Sequence, residues 1–80
     1  MEDDRHVINW VADKLVKLRK ESGATSYENF AFDHELPRVQ YWRLEKGKSD
    51  FRITSLVKVL RAHEMDLKEF FDDYVMEEDV

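Results

Sequence analysis

The sequence predicts a single all-α domain of five short helices. Apolar residues recur at intervals of three and four along nearly the whole chain, which is the spacing of one helix face. The segments with this spacing are joined by connections of about two to six residues, as in compact helical domains. Hydrophobic residues make up 42% and charged residues 39% of the 80 positions, too apolar for a disordered chain and too charged for a membrane protein.

The first helix is predicted to begin near Val7 and to end at Gly23, where a glycine favours helix termination. Its apolar face carries Val7, Ile8, Val11, Leu15 and Leu18.

The second helix is predicted to follow at once. Thr25 and Ser26 are equally good N-caps, and Glu28 stands at the capping-box distance from Thr25. The helix then reaches Asp33 with Phe30 and Ala31 pointing inward, and it is followed by a tight turn.

A third helix is predicted over residues 37–46. Pro37 suits its first position, where the missing N–H costs nothing, and Gly47 ends it. Tyr41 and Leu44 are expected to face inward.

Two more helices complete the predicted fold. The apolar face of the fourth carries Ile53, Leu56, Val57, Val59 and Leu60. The fifth runs from an N-cap at Asp66 to about Phe71.

The charge is unevenly distributed. The total is 13 basic and 18 acidic residues, a net charge of −5. Eight of the acids stand at the two ends, namely Glu2, Asp3, Asp4, Asp72, Asp73, Glu77, Glu78 and Asp79. Residues 37–61 instead hold seven cations and two carboxylates. Charge runs are usually solvated faces, but this local density favours an anionic partner.

Two short helices joined by a tight turn, the second presenting cations, describe a helix-turn-helix. Leu15–Phe71 resembles the lambda-repressor-like (Cro/repressor, XRE) DNA-binding family. The resemblance rests on the run Leu15–Glu21 before Gly23, on Ala31 and Leu36, and on the runs Arg43–Gly47 and Met65–Phe71. It implies a five-helix domain in which the second and third helices form the DNA-binding unit.

The resemblance also implies roles for single residues. Base reading falls to Arg38, Gln40 and Arg43, because arginine and glutamine pair with guanine and adenine edges. The phosphate-contacting positions are Tyr27, Lys46, Lys48, Ser49 and Arg52. Pro37 and Trp42 are further candidates for the DNA surface, although packing against the scaffold is the favoured interpretation of Trp42. Arg19 and Glu45 are implied to form a structural ion pair.

The sequence departs from the family pattern at two bends. Glu35 and Glu64 stand where the family commonly has glycine. Either the domain tolerates a left-handed backbone there, at about 1 kcal/mol each, or the bends take another shape.

The resemblance implies a two-fold homodimer on double-stranded DNA. An apolar surplus at Phe71, Tyr74, Val75 and Met76 is a candidate dimer contact; alternatively, this segment folds back on its own domain. The expected organisation is an acidic extension over 1–6, the helix-turn-helix domain over 7–71 and an acidic tail over 72–80.

Other function classes find little support in the sequence. There is no cysteine, the three histidines lack metal-ligand spacing, and no glycine-rich loop or nucleophile motif is present. No enzyme activity, cofactor, metal, small-molecule ligand or membrane contact is predicted, and the resemblance implies a bacterial or phage cytoplasmic protein.

The predicted function is sequence-selective DNA binding by a small transcriptional regulator. The alternative is a protein-interaction module, or an antitoxin-like partner, that keeps the scaffold with weak or no DNA binding. The net charge, the two glutamates at the bends and the acidic tail motivate that alternative.

Overall fold

The computed structural model describes residues 5–47 and 50–74. Within them the chain forms five helices and no strand, which confirms the predicted all-α class. They are α1 (Arg5–Glu21), α2 (Tyr27–Asp33), α3 (Arg38–Lys46), α4 (Ile53–Ala62) and α5 (Leu67–Phe70). In this described part, no helix has both the length and the apolar character needed to cross a membrane.

One apolar core holds the helices together. α3 lies centrally, in contact with α1, α2 and α4, while α5 packs against α4. The core residues are Val11, Leu15, Phe30, Ala31, Tyr41, Leu44, Leu56, Val59, Leu60 and Phe70. The position of α3 among three neighbours determines which of its sides can meet a partner.

The bend between α2 and α3 is left-handed at Glu35, where φ is 56°. The N–H of Leu36 donates to the carbonyl of Ala31 at 2.8 Å, and the N–H of Glu35 donates to the carbonyl of Phe32 at 3.2 Å. This pair of bonds is a Schellman ending, which satisfies carbonyls that the end of α2 would otherwise leave unpaired. The domain therefore accepts a non-glycine residue at this bend instead of changing the shape of the bend.

The bend between α4 and α5 repeats the same ending. Glu64 has φ 55°, and the N–H of Met65 donates to the carbonyl of Leu60 at 2.9 Å. His63 is the C-cap of α4, and its ring stacks on Phe30 with ring centroids 4.7 Å apart. The same turn chemistry thus serves both bends, each with glutamate at the strained position.

Two details of the predicted helices were wrong. The third helix begins at Arg38 and Pro37 is its N-cap, because the ψ of 116° at Pro37 is extended and not helical. Ile53, predicted to lie on the buried face of the fourth helix, is 54% exposed. It occupies the first position of α4, where the helix has only begun to meet the core.

The end of the described chain returns to α1. The ring of Trp10 stacks on that of Phe71 at 5.5 Å and meets that of Tyr74 edge-on at 4.9 Å. The Nζ of Lys14 donates to the carbonyl of Phe70 and to Asp73, each at 2.6 Å. Residues 70–74 are therefore part of the folded unit.

Candidate nucleic-acid interface

α3 turns one side to the core and the other to solvent. Tyr41, Leu44 and Glu45 are buried, while Arg38, Val39, Gln40, Arg43 and Lys46 are exposed. The buried side packs on three helices, so the exposed side is the surface that α3 offers to a partner.

A hydrogen-bonded ion pair fixes the rotation of α3. The Nε of Arg19 on α1 donates to Oε2 of Glu45 at 2.7 Å, and the hydroxyl of Tyr41 donates to the same oxygen. The hydrogen bond to Glu45 raises the pKa of Arg19, and burial raises the pKa of Tyr41. Both donors thus keep their protons, and the carboxylate remains paired.

The centre of the exposed side is formed by Val39, Arg43 and Lys46. Successive residues are separated by about 100° around a helix, which places these three opposite the middle of the buried side. Arg43, predicted to read bases, is therefore among the residues that project furthest from the core. Val39 shares this position and was not among the predicted site residues.

The other two predicted base-reading residues flank this centre. Arg38 lies on the flank of α3 that faces α2, and its Nη1 is 4.0 Å from a carboxylate oxygen of Glu28 on α2. Both side chains are largely exposed, so this pair contributes little and can open for another anion.

Gln40 lies on the opposite flank, towards α4. It lines a narrow pocket between the two helices together with Ser55 and Lys58. A base edge approaching Gln40 would therefore also approach Lys58, a cation that was not among the predicted contacts.

The predicted phosphate-contacting residues lie at the ends of three helices. Tyr27 opens α2 and is half-buried, Lys46 ends α3 and is exposed, and Arg52 is the exposed N-cap of α4. Arg52 makes no side-chain capping bond, and the positive end of the α4 dipole favours an anion near it. Lys48 and Ser49 lie outside the described residues.

Pro37 and Trp42 border the same surface. Pro37 is exposed in front of α3, and Trp42 is half-buried one turn beyond Arg38. Part of the indole surface of Trp42 therefore packs on the protein while part remains open.

The candidate dimer residues are only partly within the described chain. Phe71 and Tyr74 are half-buried against Trp10 of the same chain, which is the folded-back arrangement that the sequence left open. Val75 and Met76 lie outside the described residues.

Sequence reasoning missed two exposed apolar side chains. Val39 is 59% exposed and Phe32 on α2 is 84% exposed. The period of α3 could have identified Val39, because the inward positions Tyr41 and Leu44 already define the opposite side of the helix.

Across residues 5–47 and 50–74, no group of three histidine or carboxylate side chains could hold a metal ion.

The chain is similar to the control protein C.MunI of a Mycoplasma species. The two are 38% identical over 61 residues, which cover 76% of this chain and 82% of the relative. No protein-family profile matches the chain. No solved structure matches it either.

Proposed function

Since the chain belongs to the lambda-repressor-like (Cro/repressor, XRE) helix-turn-helix family, we propose that it is a small transcriptional regulator that binds double-stranded DNA through α3. The observation that carries this proposal is the exposed side of α3. It presents Arg38, Arg43 and Lys46 to solvent while the buried ion pair of Arg19 and Glu45 fixes its rotation. The similarity to a protein named as a control protein supports the regulatory part.

In the proposed mechanism, one set of residues binds the phosphates of the DNA and another set contacts the edges of the bases. Phosphates bind first, at Tyr27, Lys46 and Arg52 together with Lys48 and Ser49, because their charge attracts cations at any sequence. α3 then enters the major groove, which is wide enough for one helix, and Arg38, Gln40 and Arg43 meet base edges. Regulation follows from occupancy of the site.

Two copies of the chain are proposed to bind one site. A two-fold dimer would place two α3 helices about 34 Å apart, one turn of B-DNA, and would double the number of base contacts. The proposed contact involves Val75 and Met76, together with the parts of Phe71 and Tyr74 that packing on Trp10 leaves exposed. Sedimentation of the protein with and without duplex gives the stoichiometry, for which two chains per duplex is expected.

A salt titration tests the proposal. Binding of the full chain to a labelled mixed-sequence duplex is followed by fluorescence anisotropy from about 25 to about 200 mM salt, and a log–log slope of about −3 or steeper is expected. Lys46→Ala should reduce the steepness of this slope by about 1. Lys68→Ala removes the same charge from α5 and should leave the slope unchanged.

Absence of binding at the lowest salt would exclude DNA as the partner. The protein-interaction alternative would then replace the proposal. A slope that both substitutions reduce equally would show that net charge, and not the surface of α3, determines binding.

A further inference from the structure

Val39 is exposed at a place where the proposed function requires contacts. Within the described residues, three large apolar side chains are more than half exposed: Phe32 on α2, Val39 on α3 and Ile53 on α4. Of the exposed residues of α3, Val39 has the one aliphatic side chain. Its neighbours on the helix surface, three and four residues further along, are the half-buried Trp42 and the exposed Arg43.

The position of Val39 on α3 is central. The buried Tyr41 and Leu44 lie on the far side of the helix, and Arg43 follows Val39 by four residues, which makes the two side chains neighbours on one surface. Val39 is also in the first turn of α3, the part of a recognition helix that reaches base edges. A partner that binds Arg43 therefore also contacts Val39 with the adjacent part of its surface.

The major groove offers an aliphatic side chain one apolar partner. Base edges there present hydrogen-bond donors and acceptors, except for the C5-methyl group of thymine, which 5-methylcytosine also carries. The guanidinium groups of Arg38 and Arg43 and the amide of Gln40 suit the polar groups. Val39 suits the methyl.

We propose that Val39 binds the C5-methyl group of a pyrimidine in the major groove and thereby determines the base preferred at one position of the site. This inference rests on the proposed function. The methyl group can belong to thymine or to 5-methylcytosine, and the two sources are separated by experiment.

The test compares duplexes that differ by one methyl group. A preferred duplex is first obtained by selection with the wild-type full chain from a random library. Each thymine of that duplex is then replaced singly by deoxyuridine, and each cytosine singly by 5-methylcytosine. The affinity ratio of methylated to unmethylated duplex is measured for the wild type, Val39→Ala and Val39→Ile.

At one position the wild type should bind the methylated duplex about four-fold more tightly, the effect of burying one methyl group. Val39→Ala should reduce that ratio to about one, because the shortened side chain no longer covers the methyl group. Val39→Ile keeps an aliphatic branch and should keep the ratio. An effect at thymine or an effect at 5-methylcytosine identifies the source of the methyl group.

Ile53→Ala is the matched control. It shortens an aliphatic side chain of similar exposure at the start of α4, and it should keep the wild-type methyl ratio whatever it does to affinity. Because the measured quantity is a ratio between two duplexes, a variant that folds less completely does not imitate the predicted effect.

Two results would overturn the inference, and they are distinguishable. If the wild type selects a site but no methyl-dependent ratio changes in Val39→Ala, the role of Val39 is wrong while the proposed function stands. If the wild type binds no duplex and selects no sequence, both fail together.

Discussion

Arg19 on α1 and Glu45 on α3 form a buried ion pair, Nε to Oε2 at 2.7 Å, that joins the first helix to the candidate recognition helix. Arg19 is 8% exposed and Glu45 is 9% exposed. The same arginine also donates from Nη1 to the carbonyl of Ala24 at 3.3 Å. Arg19 thus connects α1 to α3 and to the segment that leads into α2, and its bond to Glu45 fixes the rotation of α3.

Removing one member of this pair should cost much of the stability of a small domain. Arg19→Leu leaves the carboxylate of Glu45 buried with only the hydroxyl of Tyr41, and the free energy of unfolding should fall by about 3 kcal/mol. Urea denaturation followed by circular dichroism measures this change. The double variant Arg19→Leu/Glu45→Leu should recover at least half of the loss, since no unpaired charge remains. A single variant as stable as the wild type would contradict the structural role of the pair.

Glycine at either bend should stabilise the protein. Glu35 and Glu64 hold φ near 55°, which costs an L-residue with a side chain about 1 kcal/mol. Glu35→Gly and Glu64→Gly should each raise the free energy of unfolding by about 0.5–1 kcal/mol. Glu35→Ala is the control, because it removes the carboxylate but keeps the Cβ, and it should give little of the gain. Equal gains from alanine and glycine would assign the effect to charge.

Gly47 should respond in the opposite way. Its φ is 62°, and a Cβ there would lie 3.1 Å from Oδ1 of Asn9 and 3.4 Å from Cβ of Ala12. Gly47→Ala should therefore lower the free energy of unfolding by about 1 kcal/mol or more. Gly23→Ala shares a positive φ but meets no atom within 4 Å, so it should be the milder substitution. Thermal unfolding measures the loss of stability in each variant: Gly23→Ala reports backbone strain alone, and Gly47→Ala reports strain together with the close contacts.

Acid should weaken the fold through His63. Its Nε2 is buried without a hydrogen-bond partner in the described part of the chain, and the ring stacks on Phe30. Burial, with a smaller contribution from His34, lowers the pKa of His63 below its ordinary 6.5, and the charge of Glu45 opposes this. The unfolded chain therefore takes up a proton first, and stability is lost as the pH falls below about 6.5. Denaturation at about pH 7 and about pH 5 should show the loss in the wild type and a smaller loss in His63→Leu. An unchanged pH dependence in that variant would contradict the assignment.

The folded-back end of the chain determines where the acidic tail can be cut. Tyr74 packs on Trp10 and Asp73 pairs with Lys14, so a deletion from residue 72 would remove parts of the domain. Deleting residues 77–80 keeps both contacts, keeps Val75 and Met76 of the proposed dimer contact, and removes three acids. If the tail repels DNA, this deletion should raise affinity at low salt, and the gain should shrink as salt screens the charges. An affinity that the deletion leaves unchanged at low salt would show that the tail does not restrain binding.

The sequence predicted the helices well because their signals are local. Ser26 accepts a hydrogen bond from the N–H of Asn29 at 3.1 Å, and Asp66 forms a full capping box with Glu69, both from residue types that favour helix starts. The left-handed bends could be given only as alternatives, because the bonds that stabilise them join residues on both sides of the turn. Val39, at the outward centre of α3, was missed although the inward positions Tyr41 and Leu44 already define the opposite side of the helix. The fold-back of Phe71 and Tyr74 onto Trp10, by contrast, depends on a contact between distant parts of the chain.

The most direct test of the central claim, that α3 reads bases while the helix ends hold phosphates, is a comparison of the sites selected from random duplexes by the wild type, Arg43→Ala and Lys46→Ala. Arg43→Ala should lose the preference at one position and keep the others, because arginine discriminates a base by about 1–3 kcal/mol. Lys46→Ala should select the wild-type site with uniformly lower affinity. Identical sites and equal losses of affinity for the two variants would contradict the claim.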